Sequence, residues 1–133
     1  MTITYHEDDT ITPEELAEVF LQSGIRRPTH DLERLGRMLA QADELLTARA
    51  DGKLVGVLRA ITDYAYCCYI SDLAVDRDYH GQRIGESLMK KLQEKLGNEE
   101  VQYILTSAPT AVGFYERIGM ERLDKAFVIR RQR

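Results

Sequence analysis

The chain has 133 residues and a mass of 15.3 kDa, with 44% hydrophobic and 30% charged residues. These values indicate one folded domain over residues 1–133, exclude a disordered chain, and allow a core that needs neither disulfides nor a structural metal. Acidic residues outnumber basic ones 22 to 18, and the resulting net charge of −4 argues against a nucleic-acid partner.

The first part of the chain predicts one strand followed by two helices. Residues 2–5 favour a short strand. Residues 12–15, Thr-Pro-Glu-Glu, combine an N-cap, a proline at the first helical position and the glutamate of a capping box, and Ser23-Gly24 predicts the end of that helix. A second helix is expected after Pro28, because apolar residues recur there at helical spacing, at Leu32, Leu35, Leu39 and Ala42.

The middle of the chain predicts three strands. Residues 45–50 and 53–61 flank Asp51-Gly52, a dipeptide typical of a two-residue hairpin turn. Residues 65–75 predict a long, nearly uninterrupted strand that is central in the sheet and buried on both faces. Cys67 and Cys68 are adjacent on this strand and would point to opposite faces, so no disulfide and no zinc site is expected.

The last part predicts a helix, a strand, a helix and a strand. Apolar residues recur every four positions from Ile84 up to Gly97, as in a helix that ends at a glycine C-cap. Residues 101–106 predict a strand, and residues 109–119 predict a short helix between a proline and a glycine. An alternating strand through Leu123, Phe127 and Ile129 would follow, and it could pair across a two-fold homodimer.

These elements together predict a fold of the mixed α/β class. Its central mixed sheet would have about six strands flanked by about four helices, in the order β-α-α-β-β-β-α-β-α-β. The strand, helix and strand across residues 65–106 form a crossover unit, so its two strands should be parallel, whereas the preceding hairpin is antiparallel.

No part of the sequence predicts a membrane segment. The longest apolar stretch, residues 65–70, is far shorter than the roughly 20 residues that a membrane span needs. Residues 1–9 carry acidic side chains where a secretory signal would have a basic segment. We therefore expect a cytoplasmic protein with no membrane partner.

Residues 76–85, with the sequence DRDYHGQRIG, lie between the carboxyl end of the predicted central strand and the start of a helix. Free backbone N–H groups and the helix dipole favour an anion at such a position. Gly81 and Gly85 would let a pyrophosphate approach the backbone, and Arg83 would add a positive charge. A Walker A loop is excluded, because no GKS or GKT follows, and GxGxxG is absent as well.

Two segments resemble the GNAT superfamily of acyl-CoA-dependent N-acetyltransferases: SDLAVDRDYHGQRIGESLM at residues 71–89 and SAPTAVGFYERIGM at residues 107–120. The family's loop pattern is Gln or Arg, two residues, Gly, one residue, and then Gly or Ala. This chain has His80, Arg83 and Gly85 at those positions, so it departs from the pattern at two of the three.

The resemblance implies a GNAT-like fold, acetyl-CoA as cosubstrate and no metal. It implies that the backbone of Leu73, Ala74 and Val75 pairs with the pantetheine arm of the coenzyme. It also implies that the loop and the start of the next helix bind the pyrophosphate, through Gly81, Gln82, Arg83, Ile84, Gly85 and Glu86. Ala108 stands where the family often has an asparagine that hydrogen-bonds the coenzyme.

Tyr115 lies in the sequence FYERIGM, which is similar to the family's F-Y-x-x-x-G-F signature. The resemblance implies that Tyr115 is the general acid that protonates the departing coenzyme A thiolate. The general base is open between Asp72, whose pKa a partly dry cleft could raise, Tyr69 and an ordered water molecule. His80 is a further titratable candidate, although its position at the loop favours a place beside the phosphates.

We therefore expect an N-acetyltransferase in which a primary amine of a small molecule or peptide attacks acetyl-CoA directly. Tyr64 and Tyr66 would line an apolar acceptor pocket, and Arg26 and Arg27 would bind a carboxylate on the acceptor or remain solvated. The alternative is a non-catalytic acyl-CoA-binding or sensing module, which the departures in the loop and at Ala108 favour.

Overall fold

The computed structural model describes residues 2–133, and these form a five-stranded mixed sheet in the order β1-β2-β3-β4-β5. The first four strands are antiparallel neighbours, and β5 lies parallel to β4. Their bounds are β1 Ile3–His6, β2 Glu44–Ala50, β3 Lys53–Thr62, β4 Cys67–Val75 and β5 Gln102–Ile104.

Four α-helices connect and cover these strands. They are α1 Pro13–Ser23, α2 Leu32–Ala40, α3 Ile84–Leu96 and α4 Val112–Arg117. Single turns of 3-10 helix precede α3 and α4, at Arg77–Tyr79 and Pro109–Ala111. The predicted element order and the mixed α/β class are confirmed up to the end of α4.

Local sequence signals determine where α1 begins and where β2 turns into β3. The Thr12 hydroxyl accepts from the backbone N–H of Glu15 at 3.1 Å, and the Glu15 carboxylate accepts from the N–H of Thr12 at the same distance, so the capping box is closed. Asp51 and Gly52 have φ of 49° and 85°, which suits the tight hairpin turn that the dipeptide predicted.

Apolar side chains pack on both faces of the sheet. One face is covered by α3, whose Leu88 and Leu92 are fully buried against the sheet. The other face is covered by α1, with Leu16 and Phe20 fully buried. On the α3 face, a Cβ on Gly56 would lie only 2.9 Å from Cγ2 of Ile84, so the missing side chain lets the start of α3 approach the sheet closely.

A β-bulge at Ser71 changes which residues of β4 face each layer. Asp72 pairs with Arg59 and Ile70 pairs with Ala60, so Ser71 is an extra residue on β4. Before the bulge, Ile70 packs against the α3 layer, and after it Ala74 packs against the α1 layer. The bulge therefore turns the side chain of Asp72 toward α1 and the segment that follows it.

Two expectations for the strands require correction. The strand predicted over residues 65–75 begins at Cys67 and is not buried on both faces, because Tyr69 is 42% exposed on the part of the sheet that α1 leaves uncovered. The predicted final strand through Phe127 and Ile129 is not formed, so residues 2–133 contain five strands instead of about six. Alternation of apolar residues suits a strand, but a strand also needs a neighbour with free backbone groups, and residues 120–133 pair with none in this chain.

Candidate functional site

The two parallel strands β4 and β5 separate along the sheet. Their pairing ends at Tyr69 and Ile104, but β4 continues to Val75. Beyond Tyr69, one edge of β4 is bonded to β3, while within residues 2–133 no strand pairs with the other edge. An extended ligand could therefore add to β4 at Leu73, Ala74 and Val75 in the manner of a strand.

The loop after β4 carries a set of free donors. None of the backbone N–H groups of residues 81–86 donates a hydrogen bond within the described part of the chain. Those of residues 84–86 are the first N–H groups of α3, which have no acceptor within their own helix. These groups lie where β4 ends, and N–H groups at a helix start together with the helix dipole attract anions.

The loop's conformation depends on left-handed backbone at two residues. Gly81 has φ of 86°, and Arg83, the N-cap of α3, has φ of 59°. The left-handed region costs a side-chain-bearing residue roughly 1–2 kcal/mol, so Arg83 is strained. Its side chain is 84% exposed, with Nη1 4.0 Å from Oε2 of Glu86.

Two side chains tie the rest of this loop to the end of β4. The Asp76 carboxylate is buried and accepts from the N–H of Asp78 at 2.9 Å. The His80 ring lies with Nε2 3.0 Å from the carbonyl oxygen of Val75, so that nitrogen donates. His80 thereby occupies one backbone acceptor on the segment that the sequence assigned to the coenzyme.

Gly85 lies between α3, α4 and the end of β4. A Cβ on Gly85 would lie 3.2 Å from Cζ of Phe114 and 3.8 Å from Cγ2 of Val75. Phe114 in turn contacts the neighbouring Tyr115, with ring centroids 5.0 Å apart in an edge-to-face arrangement. The structure therefore brings the loop, the end of β4 and the helix that carries Tyr115 to one place.

Tyr115 lies half-buried on α4, and burial raises the pKa of its phenol above the usual 10.0. The positive charge of Arg27 opposes this rise and lowers the pKa in part. The phenol therefore stays protonated at neutral pH, as a proton donor must.

Asp72 lies at the centre of a buried ionic network. Its Oδ1 accepts from Nε of Arg27 at 2.6 Å, and its Oδ2 accepts from Nε of Arg59. Both arginines also bond to Ser71: Nη2 of Arg27 donates to the carbonyl at 2.7 Å, and Nη2 of Arg59 donates to the hydroxyl at 2.8 Å. Asp72 is 1% exposed, so both of its oxygens are engaged and shielded in this structure.

The other predicted site residues occupy different surroundings. Tyr69 lies at the last β4–β5 pair, with its hydroxyl 3.4 Å from Oγ1 of Thr106. Tyr64 donates to Oε2 of Glu44 at 2.7 Å, a bond that raises the pKa of Tyr64 to about 12. Tyr64 is thus held by its own chain, whereas Tyr66 is exposed.

Sequence reasoning missed the two partners of Asp72. The sequence predicts that Arg27 binds a carboxylate on the acceptor or is solvated, yet its guanidinium bonds to Asp72 of β4, 45 residues away in the chain. Arg59 had a visible signal, because it is a single charge in the apolar run of β3 and a buried charge requires a partner. The contact between Gly85 and Phe114 had no such signal.

The mixed sheet, the separation of β4 and β5 and the free N–H groups at the start of α3 are the features of a GNAT domain, and comparison with known proteins agrees. The acetyltransferase (GNAT) domain family matches residues 7–130, so the chain belongs to this family. The family uses acetyl-CoA as its acyl donor.

Individual relatives agree with this assignment. A GCN5-related N-acetyltransferase 2, chloroplastic, from Arabidopsis thaliana is 37% identical over 70 residues, which cover 52% of this chain but 27% of the plant protein. A GNAT-family acetyltransferase structure from Streptococcus pneumoniae is 26% identical, covers 99% of both chains and has a TM-score of 0.78. A Staphylococcus aureus structure, 22% identical, shares the fold with a TM-score of 0.81 over 98% of this chain and all of its own.

Proposed function

We propose that this chain transfers the acetyl group of acetyl-CoA directly to a primary amine of a small molecule or peptide. The observation that carries the proposal is the row of free N–H groups at residues 81–86, directly beyond the open edge of β4 at Leu73, Ala74 and Val75. This arrangement suits a ligand that has a pyrophosphate at one end and an extended amide-containing arm at the other.

In the proposed reaction the amine nitrogen attacks the thioester carbonyl, a C–N bond forms and the C–S bond breaks. The departing sulfur takes its proton from the Tyr115 hydroxyl, and the amine loses a proton to a base. Tyr115 is suited to this part because burial raises its pKa and keeps it protonated at neutral pH.

Direct attack is favoured over an acyl-cysteine route. Burial raises the pKa of the Cys68 thiol to about 11, so this thiol is not a nucleophile at neutral pH. Cys67 is exposed, and among the hydrogen bonds of residues 2–133 its side chain has no basic partner.

The base has three candidates, as the sequence left them. Asp72 remains one, but a proton from the amine would have to displace the guanidinium of Arg27 or Arg59. Tyr69 is exposed at the point where β4 and β5 separate, which is where the amine would approach. An ordered water molecule bound between these groups is the third candidate.

The acceptor would lie on the uncovered part of the sheet beside Tyr69. Ile61 pairs with Tyr69 across β3 and β4, and both side chains are exposed on that face. An amine with an apolar or aromatic body would pack against them.

The absence of a metal and a cytoplasmic location both remain predictions. Among residues 2–133, no helix is long and apolar enough to cross a bilayer.

The test is titration with acetyl-CoA followed by thiol-release assays over a panel of amines, on the parent and on Tyr115→Phe. Removing only the hydroxyl should lower turnover about 100-fold or more, because the phenol donates its proton in the chemical step. The coenzyme affinity should change little, because the hydroxyl is not proposed to bind the coenzyme. Tyr5→Phe is the matched control, since Tyr5 lies on β1, at the opposite edge of the sheet from β5. Full turnover by Tyr115→Phe would show that Tyr115 is a packing residue.

A non-catalytic acyl-CoA-binding module is the second candidate function. It is favoured by His80 and Arg83 in the loop and by Ala108 before α4, where the family pattern differs. The same titration distinguishes the two functions: such a module would bind acetyl-CoA and release no thiol with any amine of the panel.

A further inference from the structure

The segment that follows α4, residues 120–133, leaves large apolar side chains in solvent. Phe127 is 98% exposed, Val128 64% and Ile129 100%, and they are consecutive. Isolated apolar residues are common on protein surfaces, but three adjacent ones on an unpaired segment favour an interaction site.

The same segment has the sequence pattern of a strand without a strand's partner. Phe127 and Ile129 would lie on one face, and Val128 and Arg130 on the other. At its last residue the segment contacts α2, where Nη2 of Arg34 donates to the carbonyl of Arg133 at 2.9 Å. No residue of the segment joins the ladders formed by residues 2–133.

The sheet offers one edge that such a segment could complete. β5 pairs with β4 alone within residues 2–133, so its outer edge has free N–H and C=O groups. Open edges of this kind accept a strand from another chain unless they are blocked. Here only Gln102–Ile104 form the edge strand, and they carry no charged side chain.

Charge favours a second copy of this chain as the partner. Five basic and two acidic residues give the segment 120–133 a net charge of +3, whereas residues 1–119 account for −7 of the chain's overall −4. Glu99 and Glu100 are exposed directly before β5, and Arg130 and Arg131 directly follow the apolar triplet. Each copy therefore carries both a basic strand and an acidic region beside the open edge.

We propose that two copies of the chain exchange these segments, so that residues 123–131 of each copy pair with the outer edge of β5 in the other. The exchange is reciprocal, as a two-fold dimer requires, and it supplies the sixth strand that the sequence predicts. It does not rest on the proposed function, because it is argued only from the exposed segment and the open outer edge of β5.

The first experiment is sedimentation velocity of the parent chain and of two double variants. Phe127→Asp with Ile129→Asp should convert a dimer to a monomer, while Phe127→Leu with Ile129→Val keeps the apolar character and should remain dimeric. Because these side chains are exposed in the single chain, all three proteins should remain folded and show the same helical signal in circular dichroism. A parent that is monomeric at 100 μM, or an Asp variant that stays dimeric, would overturn the proposal.

The second experiment distinguishes exchange from pairing within one chain. In a Cys67→Ser background, chains carrying Gln102→Cys are mixed with longer, tagged chains carrying Val128→Cys and are oxidised. Exchange predicts a disulfide-linked product of mixed size. A chain carrying both cysteines that closes on itself as a monomer would show that the segment completes its own sheet, and the exchange would then be wrong.

Discussion

The two sides of the opening between β4 and β5 are built from different parts of the chain. On the side proposed for the coenzyme, the groups available to a ligand are the backbone N–H groups of residues 81–86 and the open edge of β4. On the acceptor side, the arrangement depends on side chains, namely Arg27, Arg59, Asp72 and Tyr115.

This difference explains where the sequence can depart from the family pattern. Backbone donors remain whatever side chains the loop carries, so His80 and Arg83 are compatible with an intact anion site. A buried ionic network has no such tolerance, because the loss of one partner leaves the others charged and unpaired. Four substitutions test the comparison.

The largest effect is expected on the acceptor side. Asp72→Ala leaves two guanidinium groups without their shared carboxylate in a buried place, which should lower the free energy of unfolding by about 3–5 kcal/mol. Urea denaturation measures this change, with the exposed Asp78→Ala as control. A loss below about 1 kcal/mol would mean that the network is solvated and that the acceptor side tolerates substitution as well as the coenzyme side does.

The pH dependence of turnover tests the next part of the acceptor side. Because Tyr115 must be protonated and burial raises its pKa, activity should fall only as the pH rises past the phenol's usual value of 10.0. Each further pH unit should then cost about tenfold. The residual activity of Tyr115→Phe should lack this decline, and a decline that persists in the variant would assign it to another group.

On the coenzyme side, Gly85→Ala tests the contact with α4. The new Cβ would press on the ring of Phe114, so we expect a stability loss of about 1–3 kcal/mol and weaker binding of acetyl-CoA. Gly113→Ala is the matched control on α4, because its Cβ meets no atom within 4 Å. Equal stability and affinity in both variants would show that α4 moves without cost to accommodate the methyl group and that Gly85 does not position this helix.

The smallest effect is expected at Arg83. Replacing Arg83 by Gly relieves the strain of its left-handed backbone but also raises the conformational entropy of the unfolded chain. The free energy of unfolding should therefore rise by only about 0.5–1 kcal/mol. Coenzyme affinity should fall a few-fold if the guanidinium lies near the phosphates. Gln82→Gly, at a neighbour without positive φ, should instead lose stability. A gain at both positions would rule out strain at Arg83 as the cause.

Sequence reasoning succeeded where the determinants are local. The capping box of Thr12 and the Asp51-Gly52 turn predicted elements that the structure contains, because each depends on neighbouring residues. The free N–H groups at the start of α3 were predictable for the same reason, because they follow from a loop that enters a helix. The partners of Asp72 were not, because Arg27 reaches it through the tertiary fold and the bulge at Ser71 decides which layer Asp72 faces.

The segment after α4 shows a different limit. Its alternation predicted a strand, and residues 120–133 are unpaired because hydrogen-bonding partners for a strand are not encoded in the strand itself. The number of strands in the sheet therefore depended on contacts that no local pattern specifies.

The close approach at Gly56 has a consequence for how this sequence can vary. A methyl group at residue 56 would meet the side chain of Ile84 at 2.9 Å and that of Ala48 at 3.3 Å. Ile84 is also the first residue of α3 and supplies one of the free N–H groups. A larger residue at position 56 in β3 thus requires a smaller one at position 84 in α3. Replacing Gly56 alone would therefore shift the start of α3 and the free N–H groups there, although Gly56 is distant in sequence from them.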